Sequence, residues 1–217
     1  DHVLDEEHCI AMLNRLHTLG LLAAIHPALI WDEQIEQRFR AIGKKPLVQI
    51  QDLPVDITKE LSQRRLAYMV WMMGMPEAQV QDVLNRLKYP VAQAQQVIAA
   101  CRLWEDQSSL RGMPPSTVVK RLEDVGVLPI LANCLASQDS EICSVLLRYL
   151  QVWRHIHPTI NGFDLQRRGL RPGPAYKYIL GNLKDAWLDG NVTNPEEELK
   201  LFEQLLLDSS ADHVYRK

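Results

Sequence analysis

Four groups of side chains in this 217-residue chain could do chemistry: two acidic clusters, a histidine pair and a run of basic residues. The clusters are Asp5-Glu6-Glu7 and Glu196-Glu197-Glu198, and paired carboxylates are what a two-metal phosphoryl-transfer centre needs. Both stand at expected helix starts, where acids complement free N–H groups and the positive end of the helix dipole without any metal. His155 and His157 flank Ile156. Imidazoles at that spacing converge on one ion only from an extended backbone, and no third ligand is evident, so they are read as histidines near a helix C-terminus. His8, His17 and His26 share no ligand spacing with a cysteine or acid. There is no Ser/His/Asp order, Walker loop or dinucleotide fingerprint either. The expectation is no catalytic residue and no metal ligand.

What remains is binding. From Arg148 to Lys184 the basic residues are Arg148, Arg154, Arg167, Arg168, Arg171, Lys177 and Lys184, against the single acid Asp164. A net charge of −3 and a pI near 6.2 argue against a general nucleic-acid binder. The local distribution argues for a specific patch. Arg154, Arg167, Arg168, Arg171, Lys177 and Lys184 are the candidate phosphate contacts, grouped around a turn and a helix N-terminus whose amides suit an anion. The plainer alternative is a solvated basic face of an ordinary helix.

The elements that must position these residues lie between Ile160 and Glu198. Gly169 and Pro172-Gly173-Pro174 break any helix and form a tight turn, Gly162 and Asp164 are structural residues of the same loop and turn, and Pro174 opens a helix. Tyr176, Ile179, Leu180, Leu183, Ala186 and Trp187 recur at three- and four-residue steps on one apolar face. Asp189-Gly190 ends it. Asn194-Pro195 then supplies an N-cap and a first-turn proline for a last helix whose expected buried stripe is Leu199, Phe202, Leu205 and Leu206.

The order of residues here, I-x-G-x-D-L-x-x-x-G-L-x-P-G-P from Ile160 to Pro174, then Ala186, Leu188-Asp189-Gly190, Val192 and Glu196-Glu197, resembles the C-terminal signature of bacterial tRNA nucleotidyltransferases, the CCA-adding, A-adding and poly(A) polymerase-like enzymes. Arg168 and Lys177 depart from the commoner pattern, and both add positive charge. The resemblance is strong over about a fifth of the chain and diffuse elsewhere. It implies a helical body and tail that hold tRNA, with a catalytic head of the same chain as the other partner. Mg2+ and a nucleoside triphosphate are expected only in that head, because the family's Gly-Ser loop and Asp-x-Asp strand are not found here. By this reading the sequence, which starts at Asp1 without a leader, is a fragment that is not catalytic alone.

Composition fits a large helical core: 47% of residues are hydrophobic. No stretch reaches the roughly 20 apolar residues that cross a bilayer, and Cys9, Cys101, Cys134 and Cys143 form no CxxC knuckle and read as reduced core cysteines of a cytoplasmic protein. The expected fold is all-α, a multi-helix body of stacked helical hairpins with a C-terminal helical tail. The segments are 1–42, 55–157 and 158–217, or one continuous domain, with 43–54 as a connection. The first helix is expected from Asp5, as N-cap, to Leu19. Leu13–Leu29 echoes Val119–Leu135, and Val83–Pro90 is a partial third copy, as stacked hairpins would produce. A scaffold for another protein, or self-association into a homodimer, are the alternatives to RNA.

Overall fold

The computed structural model describes residues 2–43 and 61–214, the side chains of 209–214 excepted. Among the described residues every regular element is a helix. In chain order they are α1 (Cys9–Thr18), α2 (Leu21–Ile25), α3 (Glu33–Ala41), α4 (Gln63–Met72), α5 (Glu77–Arg86), α6 (Val91–Asp106), α7 (Pro115–Leu122), α8 (Val127–Ala136), α9 (Ser140–Gln151), α10 (Gly162–Arg167), α11 (Pro174–Leu188) and α12 (Pro195–Val214). The expected connection over 43–54 lies, apart from Gly43, outside the described residues.

Local chemistry sets the boundaries. Asp32 caps α3 by accepting from the Ile35 amide at 2.8 Å, and Asp139 caps α9 by accepting from Glu141 at 2.9 Å and Ile142 at 3.2 Å. The Ile142 amide first, then Arg111 beside it, hold the Asp139 carboxyl below the usual carboxylate range. Gly20 and Gly126, the matching positions of the two sequence echoes, both take positive φ, 70° and 88°. Each is followed by a new helix, α2 or α8. A side chain at either position would be strained.

The first helix departs from expectation. Residues His2–Asp5 form a 3-10 turn and α1 starts only at Cys9, after an uncapped His8. Asp5 pairs instead with Arg64. Leu13 is buried within α1, whereas Met12 and, just past its end, Leu19 are exposed.

The chain divides into two units, residues 1–113 with 121–151, and 114–120 with 152–217. The segments expected at 1–42 and 55–157 share one core: Leu13, Leu22 and Ile42 are buried in the same cluster as Leu66, Met69, Val80, Val97 and Ala132. Its centre is α4, where every residue from Leu66 to Met72 is buried. Trp31, Phe39 and Trp71 meet edge to face with centroids 5.0 to 5.9 Å apart, an arrangement that suits the ring quadrupoles. Their polar handles are used: Trp71 donates to the Ile30 carbonyl at 2.8 Å and Trp31 to Asn14 Oδ1 at 2.9 Å. Arg38 donates to the carbonyls of Val70 and Met73, so α3 is pinned to the end of α4. Buried Asn133 ties α8 to α6 by donating to the Ala100 carbonyl at 3.0 Å.

The second unit has a smaller core of Leu165, Ile179, Leu183, Phe202 and Leu205. No described helix is long and apolar enough to cross a membrane.

Candidate nucleic-acid interface

Five of the six candidate basic residues are carried by α10, the turn after it, and α11, and Arg154 lies in the 3-10 turn Trp153–His155. The sequence predicts loop and turn around Gly162 and Asp164, whereas Gly162–Arg167 is helical, with both residues inside it. The signal was Asn161-x-x-Asp164, a capping box. Asn161 Oδ1 accepts from the Phe163 amide at 2.9 Å, and Asp164 reaches back to the Asn161 amide at 3.0 Å. At the other end Gly169, with φ 84°, closes the helix: its amide reaches Gln166 O at 2.9 Å, and that of Leu170 reaches Leu165 O at 3.2 Å. Leu170 then packs on the Leu165–Phe202 core, and Tyr176 donates its hydroxyl hydrogen to the Leu170 carbonyl at 3.1 Å.

Of the signature glycines, Gly169 and Gly190 are required by their conformation, with φ of 84° and 74°. Gly173 is extended at φ 170°, and a methyl at Gly162 would meet the Tyr176 ring at 3.7 Å, an ordinary contact. Pro174 opens α11 as expected.

Asp189 and Glu198 do more than sequence reasoning gave them. Asp189, read as a helix stop, accepts from the Ser116 amide at 2.9 Å and the Ser116 hydroxyl at 2.7 Å, clamping the first turn of α7 to the end of α11. Lys120 pairs with Asp185 on the same two helices. Glu198 is wholly buried. Its carboxylate accepts from the Ile160 amide at 3.0 Å, the Thr159 amide at 3.2 Å and the Thr159 hydroxyl. It takes the inward position expected of Leu199, which is exposed. Neighbouring Glu197 accepts from the Thr193 amide at 2.8 Å and hydroxyl at 2.9 Å, while its own amide donates to Asn194 Oδ1 at 3.0 Å. The Thr193 amide and hydroxyl, in that order, hold Glu197 below its ordinary value.

Asp5, Glu197 and Glu198 are drawn into contacts of their own, Asp5 with Arg64 and the two last-helix acids with backbone donors. Among the described residues no three His, Cys, Asp or Glu are placed to hold an ion. His155 lies in a 3-10 turn, Trp153–His155, and its Nε2 accepts from Arg154 Nε at 3.1 Å.

Arg167, Arg168 and Arg171 share the C-terminal end of α10 and the turn beyond, and Lys177 follows in the first turn of α11. Arg167 extends into solvent, 81% exposed and 3.6 Å from Asp164. Arg168 lies 3.6 Å from Glu203 and over the Phe202 ring at 5.9 Å. Arg171 and Lys177 are exposed and carry no ion pair among the described residues. Lys184, two turns along α11 from Lys177, and Arg154 are half-buried. The helix end itself supplies few amides: Pro172 and Pro174 have none, and that of Tyr176 bonds to the Gly173 carbonyl at 3.0 Å. Phe163 on α10 and Tyr178 on α11 add exposed rings, 75% and 54% accessible.

No protein-family model matches this sequence, and no curated protein does. Solved structures do. The Thermotoga maritima CCA-adding enzyme complexed with tRNA superposes with a TM-score of 0.65 at 16% identity, over 94% of this chain and 48% of that one. A CCA-adding enzyme in complex with ATP gives 0.65 at 18% identity, over 95% of this chain and 48% of that one. An apo form of a CCA-adding enzyme gives 0.65 at 18%, over 95% and 47%. This chain spans about half the length of those enzymes and carries the helical fold of that half.

Proposed function

We propose that this chain is the tRNA-holding body and tail of a tRNA nucleotidyltransferase of the CCA-adding or poly(A) polymerase-like kind, a cytoplasmic enzyme of tRNA processing. Nucleotide addition, with its Mg2+ and nucleoside triphosphate, belongs in this reading to a catalytic head. The observation that carries it is the likeness to CCA-adding enzyme structures over 94% of the chain, one of them bound to tRNA. The Pro-Gly-Pro signature supports the same reading independently. Arg167, Arg168, Arg171 and Lys177 are the phosphate contacts, with Lys184 and Arg154 at the margin. Structured RNA is recognised largely through backbone and 2′-hydroxyl contacts, so exposed cations on a rigid helix pair suffice.

The test is binding of the chain to labelled tRNA at two salt concentrations, beside Arg167→Glu/Arg168→Glu. Affinity should fall steeply with salt, because each neutralised phosphate releases counterions. The double variant should lose about tenfold or more, since each good charged contact is worth on the order of 1 kcal/mol. Salt-independent binding, or none from a folded chain, sinks the reading in favour of a scaffold for protein partners.

A further inference from the structure

None of the four cysteines serves the RNA reading, and all four are free thiols. Two of them are adjacent. Cys134 sits near the end of α8 and Cys143 in the first turn of α9, with their sulfurs 2.7 Å apart. Cys134 Sγ also lies 3.7 Å from the Cys143 carbonyl oxygen. The approach is fixed by packing: Ile130 and Leu131 on α8, and Ile142 and Leu146 on α9, are all buried at 0 to 1% exposure. A disulfide needs an S–S length of about 2.05 Å, so a small side-chain rotation closes the remaining gap.

The two thiols are also unequal. Cys134 is buried, Cys143 half-exposed. The hydrogen bond between them first, and burial second, push the Cys134 thiol up, while the same bond lowers Cys143 despite its desolvation. Cys143 is thus the accessible sulfur that carries charge more readily, with a protonated partner behind it. That is the division of labour between an attacking and a resolving cysteine. Cys101 shows the contrast: burial pushes it up to about 12.

We propose that Cys134 and Cys143 form a thiol–disulfide exchange site that takes small-molecule disulfides of the glutathione type and closes reversibly to an intramolecular bond. Cys143 thiolate attacks one sulfur of the oxidised glutathione, forming a mixed disulfide and releasing one glutathione thiolate. Cys134 then gives up its proton and attacks Cys143 Sγ, expelling the second glutathione. Two protein thiols are oxidised and one disulfide is reduced to two thiols. The bond would staple the α8–α9 connection, whose Ser137, Gln138 and Asp139 wall an open cleft of about 1300 Å³ that also contains Arg38 and Trp104. Oxidation would therefore stiffen that wall whether or not the chain binds RNA.

Both cysteines fall on one tryptic peptide, 122–148, apart from Cys9 and Cys101. The reduced chain is treated with oxidised glutathione, quenched in acid, alkylated with N-ethylmaleimide in denaturant, digested and weighed. The expected product is peptide 122–148 without alkyl groups and lighter by two hydrogen atoms. It should form about tenfold or more faster than any oxidation of Cys9 or Cys101, as exchange follows thiolate character and access, and dithiothreitol should reverse it. Cys143→Ser and Cys134→Ala, each checked for helicity by circular dichroism, should abolish it, and Cys9→Ser should leave it unchanged. Two alkyl groups on that peptide, or glutathione kept on Cys143 beside an alkylated Cys134, overturns the proposal.

Discussion

The two units of this chain are held together by different physics. In the first, large apolar side chains fill a core around α4, and neutral donors such as Trp71 and Asn133 bond to carbonyls. In the second a smaller apolar cluster around Leu165, Leu183 and Phe202 is supplemented by carboxylates seated on backbone amides: Asp164 on Asn161, Asp189 on Ser116, Glu197 on Thr193 and Glu198 on Ile160. Acids committed in this way do not form close pairs with Arg171 or Lys177. A region can therefore present cations to a partner while its acid count looks balancing, and net charge is a poor guide to its surface.

The largest effect should come from the first unit. Trp71→Ala removes a ring packed against Trp31 and Phe39 and should cost about 3–5 kcal/mol in urea denaturation; a loss under about 1 kcal/mol would mean that its core is not organised on that cluster. In the second unit Glu198→Ala strips the acceptor from two backbone amides and a hydroxyl and should cost about 3 kcal/mol. Glu198→Gln keeps the shape with one acceptor atom instead of two and should recover part of that. A neutral Glu198→Ala would remove the contrast between the units. On the RNA side, Arg171→Ala and Lys177→Ala should each flatten the slope of log affinity against log salt by about 1; unchanged slopes would place the phosphate contacts elsewhere.

The smallest effect concerns acid. Asp139 titrates below its ordinary value in the folded chain, so its contribution to stability is present in full above the unfolded aspartate value of about 3.9 and is lost as pH falls through the folded one. The Tm difference between the natural chain and Asp139→Ala should be constant near neutral pH and shrink in acid. A difference that persists unchanged in acid would show that the capping carboxylate acts by shape, not charge.

Much of this architecture was legible in the sequence because its helices are punctuated. Pro76, Pro90, Pro174 and Pro195 stand at helix starts, and Gly20, Gly74, Gly126 and Gly169 at turns. Reading failed where a local rule met a distant partner. Asp5 has the form of an N-cap, yet Arg64, 59 residues away, takes it. Glu198 looks like its two acidic neighbours, and only the amides 38 and 39 residues upstream distinguish it. The α10 capping box was local and could have been found; the prolines and glycines that follow drew the segment into a single turn. Among the basic residues, sequence gave location but not commitment, since Arg168 is engaged by Glu203 and Phe202 while Arg171 is exposed.

The clamp of Asp189 on Ser116 also sets an order in time. Its partners are 73 residues apart, so at a synthesis rate of 5–20 residues per second Ser116 emerges about 4–15 s before its acceptor exists. During that interval the start of α7 has only water to satisfy the Ser116 amide, while the residues on either side of 114–120 already belong to the first unit. The second unit is thus completed only when the chain returns to a segment made long before, and no single cut in the gene releases it whole.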